Sequence, residues 1–281
     1  MDLVTGLVDG APIVVLGLLV LSLMGAAAAA GVALRARGDR SGGGGGDAHG
    51  EGQEGYLVSA VLGLLALLMG FTFALAVDRF ETRRSLVLEE ANAIGTTYLR
   101  TQLLEEPHRA RISGLLIAYT DNRLILAKAN PGENRRLLAE NDRLITELWA
   151  ATSAAFETIK GYDFSTSYLE TMNNLIDLDA ARKAARQVHV PTEVFVVLLV
   201  YLIMTAGVLG YVMVGTRGKW TSVFLLGLLT MSLLLIVDID RPTRGGVREG
   251  QGPMEALQKT LKSQPATVYD RWRHEDAKAA R

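Results

Sequence analysis

The sequence predicts an all-α integral membrane protein with four transmembrane helices and a helical extramembrane domain between the second and the third. Three observations lead to this fold class. Of the 281 residues, 49% are hydrophobic, and they are concentrated in blocks rather than spread along the chain. Four of these blocks are long enough to cross a bilayer as helices. Between the second and third blocks, apolar residues recur at helical spacing and strand signals are almost absent, which is typical of a helical bundle.

The first region, residues 1–54, holds the first span at residues 11–34 and a glycine-rich linker. A secretory signal is the competing interpretation of the span, because its alanine run offers a cleavage site. The leader, however, carries Asp2 and Asp9 and no Lys or Arg, unlike the basic start of a signal peptide. In the linker, the glycine run at 41–46 could also be a phosphate-binding loop, but neither the strand nor the helix that such a loop needs is predicted beside it.

The second span, residues 55–78, is the candidate pore helix. It carries no charge from Tyr56 to Val77, and no proline interrupts the amphipathic stretch after Asp78. We therefore expect one helix that crosses the membrane and continues as the first helix of the extramembrane domain. In the extension the following residues fall near helical spacing: Leu86, Leu88, Ala91, Ile94, Tyr98 and Leu103.

The helical domain is expected over residues 79–190, with further helices at 108–129, 134–160 and 165–188. Pro107 suits the first turn of the second helix of this domain. The third and fourth spans lie within residues 191–238, joined by a short turn at 216–219 and followed by a charged tail at 239–281. Trp220 is a candidate interfacial anchor, and the tail has a candidate helix from Met254.

Four spans put both termini on the same side of the membrane, but the charges do not settle which side that is. Near the membrane ends, the side with the domain carries nine Lys and Arg residues and the other side carries five, which favours a cytosolic domain. Charges in a loop longer than about 60 residues have little influence on orientation. Without the charges of the domain, the domain side has three arginines, all in the tail, against five Lys and Arg residues on the other side, and the preference reverses.

Composition excludes several functions. The net charge of −1 gives no electrostatic footprint for nucleic acid, so we expect no nucleic-acid partner. The absence of cysteine excludes disulfides, thiolate metal sites and a cysteine nucleophile. The spans hold no Asp, Glu, Lys, Arg or His away from their ends, and proton relays and ion-coupled transporters usually need such residues.

Two acidic motifs are candidate catalytic or metal sites. A di-iron bundle needs two Glu-x-x-His motifs, and this chain has one, from Glu105 to His108, so a surface helix start is the favoured interpretation. Glu89 and Glu90 could serve acid–base chemistry or bind Ca²⁺. Salt bridges at helical spacing are the favoured interpretation of this pair, with Arg79, Arg83 or Arg84 as partners. No nucleophile–base pair appears, so we expect no enzyme, no catalytic residue, no metal and no cofactor.

What remains is a pore formed by oligomerisation or a passive scaffold. Gly63, Leu67, Phe71 and Leu75 recur every four residues on one side of the second span. Several copies of this helix around an axis would form a narrow apolar ring at Leu67 and Phe71, which can gate by dewetting. Lipid contact or helix packing is the competing interpretation of this stripe, because every face of the helix is apolar. The small residues Gly63, Ala66, Gly70 and Ala74 equally suit close helix packing.

Residues 70–80, GFTFALAVDRF, resemble the pore-helix segment of bestrophin channels, in which a Gly-Phe pair is followed eight residues after the Phe by an Arg and an aromatic residue. The segment FETRR at 80–84 is similar to the Trp-Glu-x-Arg segment of bacterial bestrophins. EEANAIG at 89–95, YLR at 98–100 and DRP at 240–242 resemble the bacterial bestrophin-like proteins, formerly a domain of unknown function. This resemblance covers nearly the whole chain.

The resemblance implies a homo-oligomeric ion channel, most often a pentamer, that passes small inorganic ions. It places the neck at Gly63, Leu67 and Phe71, although the family has a bulky aliphatic residue at the first of these positions. It implies a multi-pass protein of the cell membrane, the inner membrane in bacteria, with the helical domain and both termini in the cytosol. The alternative is a non-conducting, membrane-anchored helical scaffold or sensor that binds a protein partner.

Charged residues of the candidate pore helix and its extension would line a vestibule and bias the sign of the conducted ion. The set is Asp78, Arg79, Glu81, Arg83 and Glu89. Their mixed charges do not predict which sign is favoured. The acidic Ca²⁺ clasp of animal bestrophins is not matched, because Asp238 and Asp240 stand without a run of five acidic residues.

Overall fold

The fold is all-helical. The structure, a computed structural model, describes residue 6 and residues 10–40, 48–213, 215–242 and 245–270, and these ranges contain no strand. Four helices in them are long and apolar enough to cross a membrane. The predicted fold class, a helical membrane protein with four spans, is therefore confirmed.

Eight α-helices and one short 3₁₀ helix follow one another in the described part of the chain. They are α1 Ile13–Arg40, α2 Ala48–Thr101, α3 His108–Lys128, α4 Pro131–Ile159, α5 Phe164–Gln187, α6 Thr192–Val212, α7 Gly215–Asp240 and α8 Gly252–Ser263, and the 3₁₀ helix is Ala266–Asp270. The candidate pore helix and its extension thus form one helix, α2, as its uninterrupted apolar and amphipathic patterns predict.

Helix ends differ from the sequence prediction at several places, and α4, for example, begins at Pro131 and not at residue 134. Helix α1 continues to Arg40 and α2 begins at Ala48, so both ends of the predicted linker are helical. The glycine run at 41–46 and the leader residues Asp2 and Asp9 lie outside the described residues. The predicted turn at 216–219 is instead the first turn of α7, because the chain reverses earlier, where Gly215 adopts a φ of +74° that other residues rarely take.

The chain divides into two compact units. The membrane unit comprises Met1–Phe80 with Val188–Arg248, and the helical unit comprises Glu81–Gln187 with Glu249–Arg281. The tail that the sequence predicts as one region from residue 239 is therefore divided between the two units. Its candidate helix is present as α8, which begins at Gly252 and belongs to the helical unit.

In the membrane unit, α1 and α6 cross at backbone contact. A Cβ atom added to Gly31 would lie 2.1 Å from the carbonyl oxygen of Gly207, and one added to Gly210 would lie 2.1 Å from that of Ala28. Since real Cβ atoms do not approach this closely, both positions require glycine. Small residues at a helix crossing allow close packing in a bilayer, where apolar lipid removes the hydrophobic drive for association.

The core of the helical unit is built from the apolar faces of five helices. Its largest fully buried side chains include Ile94 of α2, Tyr119 of α3, Leu148 of α4 and Leu175 of α5. Helix α8 contributes Met254, which is also fully buried, and Leu261. The α8 segment is thus an integral part of this core.

Local chemistry explains where α3 begins. Pro107 stands at the N-cap of α3, where its missing N–H costs no helical hydrogen bond. The carboxylate of Glu106 accepts the backbone N–H of Ala110 at 3.1 Å and the Nε–H of Arg109 at 2.8 Å. The Arg109 hydrogen bond lowers the pKa of Glu106 below its ordinary value. The motif from Glu105 to His108 is therefore a helix start, as the favoured interpretation has it.

Candidate functional site

Helix α2 turns one apolar face into the membrane unit and leaves the opposite face open. Leu65, Met69 and Ala76 are buried in the core of the unit. Leu67 and Phe71 keep 54% and 63% of their surface exposed. At about 100° per residue, Leu67 lies about 160° around the helix from Leu65 and Met69. The predicted neck stripe is therefore on the face that packs least within its own unit.

The share of buried residues distinguishes α2 from α7. In the most apolar window of α2, 22% of the residues are buried, the same share as in α1, against 39% in that of α7. Both windows have nearly the same hydropathy, so the difference reflects packing and not composition. A single chain thus leaves much of the apolar surface of α2 for lipid or for another protein surface.

Close helix packing at the small residues of α2 is not seen within the chain. A Cβ atom added to Gly63 or to Gly70 would meet no atom within 4 Å, and Ala66 and Ala74 are exposed. These residues therefore make no close packing within the described part of one chain, and their packing against another copy stays a prediction. Tight packing occurs instead at Gly31 and Gly210, where neighbouring backbones touch.

Four of the five predicted vestibule charges are at least partly exposed, and the fifth, Arg83, is buried. Asp78, Glu81 and Glu89 are exposed and Arg79 is partly buried. The Arg84 guanidinium donates to the Glu81 carboxylate at 3.3 Å, a salt bridge between residues three apart on the helix.

Arg83 differs from the other four and does not belong to an exposed vestibule surface. Its Nε–H donates to Oε1 of Glu249 at 2.9 Å, and the two side chains are only 2% and 5% exposed. Arg186 approaches the other Glu249 oxygen at 3.7 Å. Arg83 is thus an internal ion-pair residue of the helical unit, held by a carboxylate that lies 166 residues later in the sequence.

Glu90 contradicts the predicted pairing with Arg79, Arg83 or Arg84. It is fully buried, and its carboxylate accepts the Tyr119 hydroxyl at 2.5 Å and the Nε–H of Arg123 at 3.1 Å. Arg182 of α5 donates to the same carboxylate. Because Val87, Ala91 and Ile94 surround Glu90 on the buried face of α2, its partners have to come from other helices.

Asp179 extends this arrangement into a buried ionic cluster, which we define as Glu90, Tyr119, Arg123, Asp179 and Arg182. The Asp179 carboxylate accepts Nδ2 of Asn141 at 2.8 Å, Nζ of Lys183 at 2.6 Å and Nη1 of Arg123 at 3.4 Å. The cluster joins α2, α3 and α5, and Asn141 adds α4. Buried charges require this kind of pairing, because desolvation is costly for an isolated charge.

Burial raises the pKa of Tyr119 well above its ordinary value, and the negative charge of Glu90 adds to this effect. The phenol is therefore protonated and donates its hydrogen bond. Burial on its own would lower the pKa of Arg123, but the neighbouring Tyr119, Glu90 and Asp179 outweigh it and raise the pKa. For Arg186, burial and the positive charge of Arg182 lower the pKa. At neutral pH Tyr119 is thus a hydrogen-bond donor to Glu90, and Arg123 carries its positive charge.

The two acidic residues that stand where a Ca²⁺ clasp would be sought bind backbone instead. Asp238 accepts the N–H groups of Gly246 at 2.7 Å and Val247 at 3.0 Å. Asp240 accepts the N–H of Val190 with its two oxygens at 3.0 and 3.1 Å. Within the described ranges, no group of three or more His, Cys, Asp or Glu side chains could hold a metal ion.

These features define a multi-pass helical membrane protein whose second span leaves one apolar face open. A family model described as the Bestrophin-like domain matches residues 25–248. The chain therefore belongs to the Bestrophin-like family, and the family predicted from the residues 70–123 and 240–242 is confirmed. No curated protein matches the sequence.

Three similar solved structures are crystal structures of a bacterial bestrophin homologue from Klebsiella pneumoniae. One variant is 18% identical with a TM-score of 0.65, and the match covers 90% of this chain and 96% of that one. A second variant is 20% identical with a TM-score of 0.59 and coverages of 90% and 97%. A third structure is 20% identical with a TM-score of 0.58 and coverages of 89% and 96%. At these identities the likeness establishes the fold.

Proposed function

We propose that the protein is a homo-oligomeric ion channel in which copies of α2 surround a central axis. The observation that carries this proposal is the open face of α2, since Gly63, Leu67 and Phe71 lie opposite the buried face of the helix. Membership of the Bestrophin-like family supports it. A pentamer is the assembly that the family resemblance favours.

The conducting path would narrow at an apolar neck. Rings of Leu67 and Phe71 around the axis would leave a constriction without polar groups, and such a constriction can close by losing its water. Gly63 would widen the first level of the neck. The pore would pass small inorganic ions without a cofactor and without a dedicated binding site.

Charges of α2 beyond the neck would bias the sign of the conducted ion. The proposed set becomes Asp78, Arg79, Glu81 and Glu89, and it leaves out the buried Arg83. We place the protein in the cell membrane with the helical unit and both termini in the cytosol, as the family resemblance implies.

The experiment is ion flux from liposomes that contain the purified protein. Phe71→Ala is expected to raise flux at least about tenfold by opening the neck to water. The control is Phe73→Ala, which removes the same side chain from the same helix. Phe73 is 41% exposed and lies about 160° around the helix from Phe71.

Three outcomes would contradict the channel, the position of its neck or its shared axis. If neither the unchanged protein nor Phe71→Ala conducts, the scaffold or sensor becomes the better proposal. If Phe71→Ala and Phe73→Ala change flux equally, the neck is not at Phe71. A monomer or dimer by mass photometry in lipid nanodiscs would also count against a shared axis.

A further inference from the structure

The membrane unit contains a cavity of about 700 Å³ beside the last turns of α7. Its apolar wall includes Met231, Leu234 and Leu235, and Ile13 closes it from the start of α1. Ligand pockets in proteins are typically about 300–1,000 Å³, so the volume suits an organic molecule. Met231 and Leu235 are themselves exposed to the surroundings of the span, so the cavity opens toward the bilayer.

One end of this cavity is charged, with Asp238 and Arg241 in its lining. Asp238 follows Met231 by seven residues, which is about 10 Å along a helix. Since α7 is uncharged from Trp220 to Val237, the charged end lies where the span meets the headgroup region and the apolar wall lies at acyl-chain depth.

Both charged groups are held in place by backbone. The two oxygens of Asp238 accept the N–H groups of Gly246 and Val247, and a carboxylate oxygen can accept a further hydrogen bond. A guanidinium N–H of Arg241 donates to the carbonyl oxygen of Ala11 at 2.9 Å, and the residue is only 4% exposed. The loop can fold this tightly because Gly245 has no Cβ, which would lie 2.3 Å from the carbonyl oxygen of Asp238.

We propose that this cavity binds one phospholipid with a zwitterionic headgroup that carries a primary ammonium, such as phosphatidylethanolamine. The phosphate lies against the Arg241 guanidinium, the ammonium donates to the Asp238 carboxylate, and an acyl chain lies along Met231 and Leu235. One acid and one base match the two charges of such a headgroup. A purely anionic headgroup would meet Asp238 with repulsion.

The first experiment measures lipid binding to the purified full-length protein by native mass spectrometry after delipidation and titration with phosphatidylethanolamine. Leu235→Trp fills the cavity and is expected to lower the affinity about tenfold. The control is Leu228→Trp. Leu228 and Leu235 lie seven residues apart on one face of α7, are similarly exposed at 42% and 47%, and only Leu235 lines the cavity.

The second experiment compares headgroups. Phosphatidylethanolamine is expected to bind about tenfold more tightly than phosphatidylcholine, whose quaternary ammonium cannot donate a hydrogen bond, and more tightly than phosphatidylglycerol. Asp238→Asn is expected to remove the preference over phosphatidylcholine. Asp238→Glu, which keeps the charge, should restore it in part, and thermal unfolding checks that both variants fold.

Three results would overturn the proposal. The first is equal affinity of the Leu235→Trp and Leu228→Trp variants. The second is equal affinity for the three headgroups or a preference for phosphatidylglycerol. The third is a second copy of the chain seated in the cavity of the assembled protein. None of these measurements depends on ion flux, so the lipid site and the proposed channel can fail separately.

Discussion

At the scale of single residues, Glu90 is a fully buried charge in the helical unit. Its carboxylate serves Tyr119, Arg123 and Arg182, and each donor comes from another part of the chain. Removing one member of a buried ion pair leaves an uncompensated charge, which costs more than the pair itself contributes. The neighbouring Glu89 is exposed and provides a comparison at an adjacent position.

Glu90→Gln is expected to lower the free energy of unfolding by about 3–5 kcal/mol, because Arg123 and Arg182 lose their shared counter-charge. Glu89→Gln should stay within about 0.5 kcal/mol of the unchanged protein. Denaturant unfolding in detergent measures both, followed by the fluorescence of Trp149 in a background in which Trp220 and Trp272 are replaced by Phe. Equal midpoints for the two variants would show that the buried ionic cluster contributes little to stability.

At the scale of helices, the crossing of α1 and α6 depends on glycine because the two backbones touch. Gly31 faces the carbonyl oxygen of Gly207, and Gly210 faces that of Ala28. Arg35 closes the same pair of helices, since its guanidinium donates to the carbonyl oxygen of Tyr211 at 3.0 Å and lies 5.9 Å from the centre of that ring. The crossing is therefore fixed by both shape and a charged contact.

Gly210→Ala is expected to destabilise the membrane unit by about 1–3 kcal/mol, because the added methyl group overlaps the Ala28 carbonyl. Gly227→Ala is the control. Gly227 lies within α7 and its added Cβ would meet nothing within 4 Å, so the better helix propensity of alanine should leave stability unchanged or slightly raised. Thermal unfolding in detergent separates the two, and a Gly210→Ala variant as stable as Gly227→Ala would contradict a backbone-contact crossing.

At the scale of the whole molecule, the C-terminal segment belongs to the helical unit although it follows the last span. Met254 and Leu261 lie in the core of that unit, and Glu249 pairs with Arg83. Arg109 donates to both carboxylate oxygens of Asp270, at 2.6 and 3.0 Å. The helical unit thus includes residues 249–270, which follow the last span in the sequence.

A chain shortened to end at Arg248 is expected to lose the folded helical unit, because its core then lacks Met254 and Leu261. A chain that ends at Asp270 keeps all of these contacts and should resist limited proteolysis like the full chain. Within the full chain, Met254→Ala should cost about 2–5 kcal/mol, whereas Lys259→Ala on the exposed side of the same helix should cost little. Equal protease resistance of the two shortened chains would contradict a structural role for the segment.

The sequence predicts the spans and most helices because their signals are local. Uninterrupted apolar runs mark the membrane helices, and helix α3, expected at 108–129, is observed at His108–Lys128. The buried face of the α2 extension is only partly predicted. Ala91, Ile94 and Tyr98 are buried as their spacing indicates, but Leu88 and Leu103 of the same series are exposed.

The internal partners of charged residues could not be predicted, since they are distant in the sequence. Helical spacing offered Glu90 three nearby arginines, and the structure pairs it with Arg123 and Arg182 on other helices. In the same way, the sequence around Arg83 indicates a surface charge, whereas the structure buries Arg83 in an ion pair with Glu249. Local patterns cannot reveal a contact that only the tertiary arrangement creates.

The shared carboxylate of Glu90 also has a mechanical consequence. The Glu90 carboxylate accepts hydrogen bonds from α3 and from α5 at the same time. Sliding of either helix along α2 would break these bonds and leave an unpaired charge in the apolar interior, so the contact opposes such sliding. The slowest-exchanging amides of these three helices should therefore open together, as one cooperative event.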